Sequence, residues 1–322
     1  MKEIRVGVIG VGYLGKFHAE KYAAMENVRL MGVADTNPEA GRQVAEKLKT
    51  EAFSDFNALL PLCDAVSIVV PTSAHHQVAR ICLEQGKDVL IEKPVTVTLA
   101  EADDLIELAE AKEAILQVGH LERFNPAVMA MNEYLTHPLF IESHRIHMFK
   151  PRGLDVDVVL DLMIHDIDII LSIVDSPIAS IHTVGVPVVT PSTDIANARI
   201  IFENGCTANV TVSRISKDNI RRIRVFQPRC FVSVDYGNKE ITVIRLKKQT
   251  GPVGLPQEDI LKSTFPDADS LALELDDFAT NIRQRRKPKV SGREGRRALE
   301  VALQIMGQIK DHAARVQHLL QD

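Results

Sequence analysis

The first third of the chain alternates short apolar runs with amphipathic stretches. Residues 4–9, Ile-Arg-Val-Gly-Val-Ile, read as a buried strand, and a helical pattern follows over 13–25. Further strands are expected at 29–34, 65–70, 87–91 and 115–119, with helices at 75–85 and 99–112. Apolar strands alternating with helices in this way belong to a parallel, doubly wound sheet. After about Gly119 the pattern changes. Strands at 140–149, 178–189, 197–202, 207–213, 220–227, 230–236 and 240–246 are separated by turn signals such as Glu203-Asn204-Gly205 and Gly237-Asn238. Spacing of this kind implies hairpins and a mostly antiparallel sheet. A helix at 156–174 lies before most of these strands, and helices at 270–284 and 293–320 close the chain.

Gly10-Val11-Gly12-Tyr13-Leu14-Gly15 stands between the first strand and its helix. In that context Gly10 permits the tight turn, Gly12 lets the backbone approach a pyrophosphate, and Gly15 lets helix and strand pack closely. The amides that open the helix supply the anion site. Asp35 ends the second strand, 20 residues after Gly15. An acid at this distance accepts hydrogen bonds from the adenosine ribose and repels a 2′-phosphate, which favours NAD over NADP. The other reading of Asp35 is a helix cap ahead of Asn37-Pro38. The expected fold is α/β: an N-terminal Rossmann doubly wound parallel sheet over 1–121, then a C-terminal α+β domain over 122–322. That second domain is built on a large, mostly antiparallel open sheet, with the last helix able to pack back on the first domain. One of its sheet faces, or an edge, would stay exposed in a monomer, which argues for a homo-oligomer.

The 322 residues, 45% of them hydrophobic, are enough for two cores. A net charge of -5 argues against nucleic-acid binding, and no apolar run approaches the roughly 20 residues of a membrane span. Met1 runs straight into a charged strand without a leader pattern. Cys63, Cys82, Cys206 and Cys230 are scattered without metal-ligand spacing, so reduced thiols, a cytoplasmic location and no metal are expected. Arg283, Arg285, Arg286 and Lys287 suit a helix C-terminus. Arg221, Arg222 and Arg224 read as solvated strand residues.

Two groups of residues carry candidate chemistry. Glu92-Lys93-Pro94 follows the apolar run 89–91, at the strand ends where open parallel sheets bind ligands. The proline holds Lys93 extended, and a buried lysine there can handle protons. The second group is Asp157, Asp161, His165 and Asp168, whose spacing places them on one helical face. A histidine between carboxylates is oriented and biased toward protonation. A solvated acidic stripe is the competing reading, which the dinucleotide fingerprint upstream disfavours.

The order Gly10-x-Gly12-x-x-Gly15, Asp35, Pro71 with His75 four residues on, Glu92-Lys93-Pro94 and Asp161-x-x-x-His165 closely resembles the Gfo/Idh/MocA oxidoreductases over essentially the whole chain. The resemblance implies that Lys93, Asp161 and His165 are catalytic. It implies cofactor contacts from Gly10, Gly12, Tyr13, Leu14, Gly15, Asp35, Pro71, Thr72, His75, Glu92 and Lys93. It also implies a homodimer or homotetramer through the C-terminal sheet. Met163 departs from the family's frequent glycine two residues after the aspartate, and 153–157 from its glycine-rich approach. Residues 119–126 and 161–168 resemble a subgroup similar to UDP-N-acetylglucosamine 3-dehydrogenases. For such a substrate Arg123, Asn125, Arg145, Lys150 and Arg152 are the candidate contacts, with Asn125 readable also as a helix cap. The expected activity is NAD-dependent oxidation of a secondary sugar hydroxyl, most simply the 3-hydroxyl of a UDP-N-acetylhexosamine. A dehydrogenase or reductase of another sugar, polyol or small carbonyl is the alternative, followed by a non-catalytic NAD-sensing regulator.

Overall fold

The computed structural model describes residues 3–149, 157–250 and 256–316. The chain divides into two compact units: Met1–Leu121 with Asp269–Leu299, and Glu122–Ala268 with Glu300–Asp322. The segment Asp269–Leu299, expected within the second domain, groups with the first. The cause is its apolar stripe. Leu275, Phe278, Ala279 and Ile282 share one core with Val6, Val8, Ala19, Tyr22 and Leu90.

The first unit runs β1 (Ile4–Ile9), α1 (Gly15–Ala24), β2 (Val28–Ala34), α2 (Pro38–Leu48), β3 (Glu51–Phe53), α3 (Phe56–Leu59), β4 (Ala65–Ile68), α4 (Thr72–Glu84), β5 (Asp88–Glu92), α5 (Leu99–Ala111) and β6 (Leu116–Gly119). Its six strands lie in the order β3-β2-β1-β4-β5-β6, all parallel. This is the Rossmann order expected from the glycine fingerprint. Local chemistry fixes the helix starts. Asn37 caps α2 ahead of Pro38, and Thr98 with Glu101 forms a capping box on α5.

The second unit holds α6 (Pro126–Met131), β7 (Phe140–Ile146), a π-helical turn (Val159–Met163) leading into α7 (Ile164–Ile173), and β8 (Ile178–Val186). It continues with β9 (Ile195–Phe202), β10 (Thr207–Ser213), β11 (Ile220–Gln227), β12 (Cys230–Asp235), β13 (Glu240–Thr250) and β14 (Pro256–Thr264). These eight strands form one sheet, β14-β13-β12-β11-β7-β10-β9-β8, antiparallel except for β7 with β10. The expected mostly antiparallel sheet is thus present. Strand β7 alternates strictly, with Ile141, Ser143 and Arg145 buried. On the opposite side, Arg222 pairs with Asp235 and Arg224 with Glu142. The chain closes with α8 (Ser270–Gln284) and α9 (Gly292–Val316).

The strands β3 and β14 lay outside the sequence expectation. The first is only three residues long, and the second, Pro-Gln-Glu-Asp-Ile-Leu-Lys-Ser-Thr, carries the charges that protect an edge. Among the described residues no helix is long and apolar enough to cross a membrane, and no cluster of His, Cys, Asp and Glu is arranged to hold a metal.

Phe278 is fully buried in the first unit's core. Phe278→Ala should lower its stability by about 3–5 kcal/mol. Urea unfolding followed by circular dichroism measures this, and a loss below about 1 kcal/mol would show that Asp269–Leu299 does not complete that core.

Candidate functional site

In the first unit the glycine loop is shaped by contact. Gly10 has φ 85°, and a side chain there would place its Cβ 2.5 Å from the Val69 carbonyl oxygen. A Cβ on Gly15 would collide with the Gly10 carbonyl. At Gly12 a Cβ would meet nothing within 4 Å. That position opens onto free space, as a backbone that approaches a pyrophosphate requires. A cavity of about 450 Å³ begins at Gly10 and Gly12 and continues past Asp35, Thr36, Pro71, Ala74 and Val78. Tyr13 and Leu14 are exposed beside the glycines despite their apolar character.

Asp35 accepts hydrogen bonds from the Val11 N–H and the Asn37 N–H, both at 2.8 Å. Asn37, not Asp35, caps α2. The aspartate thus ties the glycine loop to the end of β2, with its carboxylate on the cavity wall. Pro71 and Thr72 begin α4 at the next strand end. The donor set, the free space at Gly12 and the acidic group at the cavity fit a dinucleotide such as NAD.

Glu92 closes β5, and the Lys93–Pro94 peptide is cis. The Glu92 carboxylate lies 3.2 Å from His18 Nε2 and accepts the Lys93 N–H at 3.3 Å. Burial pushes the Glu92 pKa up, but the bond and charge of His18, with Lys93, outweigh it and hold the carboxyl below its ordinary value. Sequence reasoning did not single out His18, which sits buried on α1 and also meets Ser67 at 3.0 Å. His75, expected beside the cofactor, is instead enclosed. Its ring nitrogens face the carbonyls of Pro94 at 2.9 Å and Val70 at 3.0 Å, so it ties the Lys93–Pro94 loop to the end of β4. Burial lowers its pKa, outweighing the contacts to the two carbonyls, which raise it.

In the second unit Asp161 lies in the π-helical turn and His165 in the first turn of α7, both partly exposed. Turns of this kind are frequent at functional sites. The first described helical residue is Val158, so Asp157 precedes the helix and accepts the Val159 N–H. Asp168 is buried against Arg123, whose Nη1 lies at 3.3 Å. The four groups read as one face are therefore divided between a cap, two partly exposed positions and an internal ion pair. Met163, where the family often has glycine, is buried.

Beside His165 lies a charge cluster that the sequence did not reveal. Asp166 is fully buried, accepts Arg145 Nε at 2.7 Å, and accepts the Ser143 hydroxyl at 2.7 Å. Arg145 also reaches Glu122 at 3.1 Å and stacks over Tyr236 at 5.1 Å. Burial opposes its charge, but Asp166 and Glu122 override this and raise its pKa. Arg145, expected at the substrate, is therefore committed to its own unit. Asn125 is likewise committed, capping α6 through the Ala127 N–H and donating to the Tyr236 carbonyl at 3.1 Å. Arg123 keeps slight exposure and its bond to Asp168. Lys150 and Arg152 lie outside the described residues.

Comparison with known proteins agrees with both halves. Residues 4–120 match a family model described as an oxidoreductase family with an NAD-binding Rossmann fold, and 135–232 match a Gfo/Idh/MocA C-terminal domain. The chain is 40% identical over 306 residues to the UDP-N-acetylglucosamine 3-dehydrogenase of Acidithiobacillus ferrooxidans, covering 95% of this chain and 97% of that protein. A solved structure of that enzyme superposes with a TM-score of 0.91 at 39% identity, covering 97% and 99%. The myo-inositol 2-dehydrogenase of Thermotoga maritima is 27% identical, covering 92% and 93%. A levoglucosan dehydrogenase in complex with NADH shares the fold, with a TM-score of 0.87 at 19% identity over 96% and 98% of the two chains.

Asp35→Ser removes the charge at the cavity while leaving an oxygen for the Asn37 N–H. It should weaken NAD binding about tenfold and narrow the preference for NAD over NADP, in line with the loss of a charged hydrogen bond. Fluorescence titration with both reduced cofactors tests this. Unchanged affinities for both would remove Asp35 from the ribose site.

Proposed function

Because the chain belongs to the Gfo/Idh/MocA oxidoreductase family, and is an NAD-dependent enzyme acting on CH–OH groups, we propose that it oxidises the 3-hydroxyl of a UDP-N-acetylhexosamine. The supporting observation is the 40% identity to the Acidithiobacillus ferrooxidans dehydrogenase, which extends over nearly the full length of both chains. The glycine loop, the cavity at Asp35 and the exposed Tyr13 and Leu14 would hold the cofactor, which supplies the hydride acceptor when bound. The chain's own residues must then manage one proton and one developing negative charge on the substrate oxygen.

We assign these tasks to Lys93, Asp161 and His165. His165 takes the hydroxyl proton as general base, a role for which imidazole is suited near neutral pH. The Lys93 ammonium stabilises the charge that builds on the oxygen as the hydride leaves. Asp161 orients the substrate or the base. Exchange of the first two roles leaves the same residues in place. The same reading includes a homodimer or homotetramer through the C-terminal sheet. Size-exclusion chromatography with light scattering measures the assembly directly, and a monomer at micromolar concentration rejects it.

Stopped-flow absorbance at the reduced-nicotinamide band tests the activity. UDP-N-acetylglucosamine should reduce NAD, while free sugars and inositols should not. Lys93→Met and His165→Ala should each lower kcat about a hundredfold or more, with NADH affinity kept within a few-fold. Normal turnover in either folded variant removes that residue from the chemistry. Binding of NADH without redox change on any hydroxyl substrate would instead support a regulator.

A further inference from the structure

A polar chain crosses the apolar interior of the first unit. The Tyr22 hydroxyl donates to Ser67 Oγ at 3.5 Å, Ser67 Oγ meets His18 Nδ1 at 3.0 Å, and His18 Nε2 meets Glu92 Oε1 at 3.2 Å. The other carboxylate oxygen accepts the Lys93 N–H. Tyr22, Ser67 and His18 are all buried, and they come from two different elements, α1 and β4. His18 Nδ1 faces the serine hydroxyl and Nε2 faces the carboxylate, and because a carboxylate oxygen only accepts, the hydrogen of that contact is an Nε2–H donated to Glu92. The site is built to receive that carboxylate. Gly119 lies opposite Glu92 in the sheet, and a Cβ there would stand 3.0 Å from Oε1.

We propose that His18 is a positioning residue for Lys93: through Nε2–H it fixes the Glu92 carboxylate, and Glu92 in turn holds the Lys93 backbone and supports its ammonium charge. A buried polar chain of this kind costs stability compared with a packed apolar core. Its geometry is spent on the residue directly before the lysine. Loss of the His18 donor leaves this desolvated carboxylate with Lys93 alone to favour its ionised form. Protonation of Glu92 then takes from the ammonium its compensating charge. The inference rests on the proposed role of Lys93, and it has a readout that does not need turnover.

Full-length His18→Leu and His18→Gln carry the test, with Ser67→Ala as a milder change should the leucine variant fail to unfold cooperatively. Leucine removes the donor at similar volume, whereas glutamine can still donate to Glu92. Acylation of Lys93 by a succinimidyl ester, followed by mass spectrometry against the other lysines, should be about threefold or more faster in His18→Leu and Ser67→Ala. It should return to the wild-type rate in His18→Gln. With the sugar nucleotide, kcat of His18→Leu should fall about tenfold to a hundredfold, as small misplacements of reacting groups do. The NADH Kd should stay within about twofold. An unchanged Lys93 acylation rate overturns the proposal whether or not the enzyme turns over. A tenfold weaker NADH Kd overturns it too, by showing that Glu92 serves the cofactor. A wild-type enzyme inactive on sugar nucleotides defeats the substrate reading alone, since acylation still decides on His18.

Discussion

The parallel hydrogen-bond register of the first sheet is the constraint on which its site depends. Ala34, Ile9, Ile68, Ile91 and Val118 stand side by side across five strands. Whatever follows each of them must emerge in one row at the carboxyl edge. The row is Asp35, Gly10, Val69, Glu92 and Gly119. Distant stretches of sequence thereby supply the acid at the cavity, the tight glycine turn, the wall that the turn packs on, and the carboxylate before Lys93. A register slip of one residue in β5 would turn Glu92 to the other face and carry Lys93 with it. Short apolar strands buried on both sides resist such a slip, because every alternative pairing exposes part of Val89, Leu90 and Ile91.

The second unit reaches the same end with charge. α7 buries Ile164, Ile167, Ile169 and Ile170 together with Asp166 and Asp168, and apolar contacts alone are non-directional. Arg145 provides the direction. Its bond to fully buried Asp166 admits one orientation of the helix, and so fixes the direction of the neighbouring His165 and the π-helical turn that bears Asp161. Breaking such a pair from one side leaves a buried charge, at about 3–5 kcal/mol. The pair is therefore weak as a source of net stability and strong as a source of orientation.

Much of this was legible in the sequence because it is local. The glycine fingerprint, Asp35, the strand periods and Glu92-Lys93-Pro94 are each defined by residues close in the chain. What was not legible depends on partners far apart. His18 reads as one more polar position on a helix of weak amphipathicity, and only the sheet brings Ser67 and Glu92 to it. Asp166 lies off the stripe of Asp157, Asp161, His165 and Asp168 and carries no local signal of its own, and nothing short of the β7 register shows that Arg145 lies beneath it. Arg145 and Asn125 were for the same reason placed at the substrate. A cation at the end of a strand and an asparagine before proline carry the same local signal whether they face ligand or core. The π-helical turn, which changes the rotation between Asp157 and His165, leaves no mark on periodicity.

The buried polar groups of the two units share one physical logic. A folded domain of this size does not need His18, Ser67, Arg145 or Asp166 to bury enough apolar surface. Partners replaced together by well-packed aliphatic side chains would cost little, or give a gain. Apolar contacts, however, are non-directional, and they tolerate small rotations of a helix or a strand end. Hydrogen bonds to buried charges do not, because any departure leaves a desolvated group unmatched. Polar chains that end at Glu92 and at Asp166, one residue from Lys93 and one residue from His165, therefore convert an approximately placed loop and helix turn into fixed ones. Under the proposed assignment of Lys93 and His165, proton transfer requires that fixity, since its rate falls steeply with small displacements of the reacting groups.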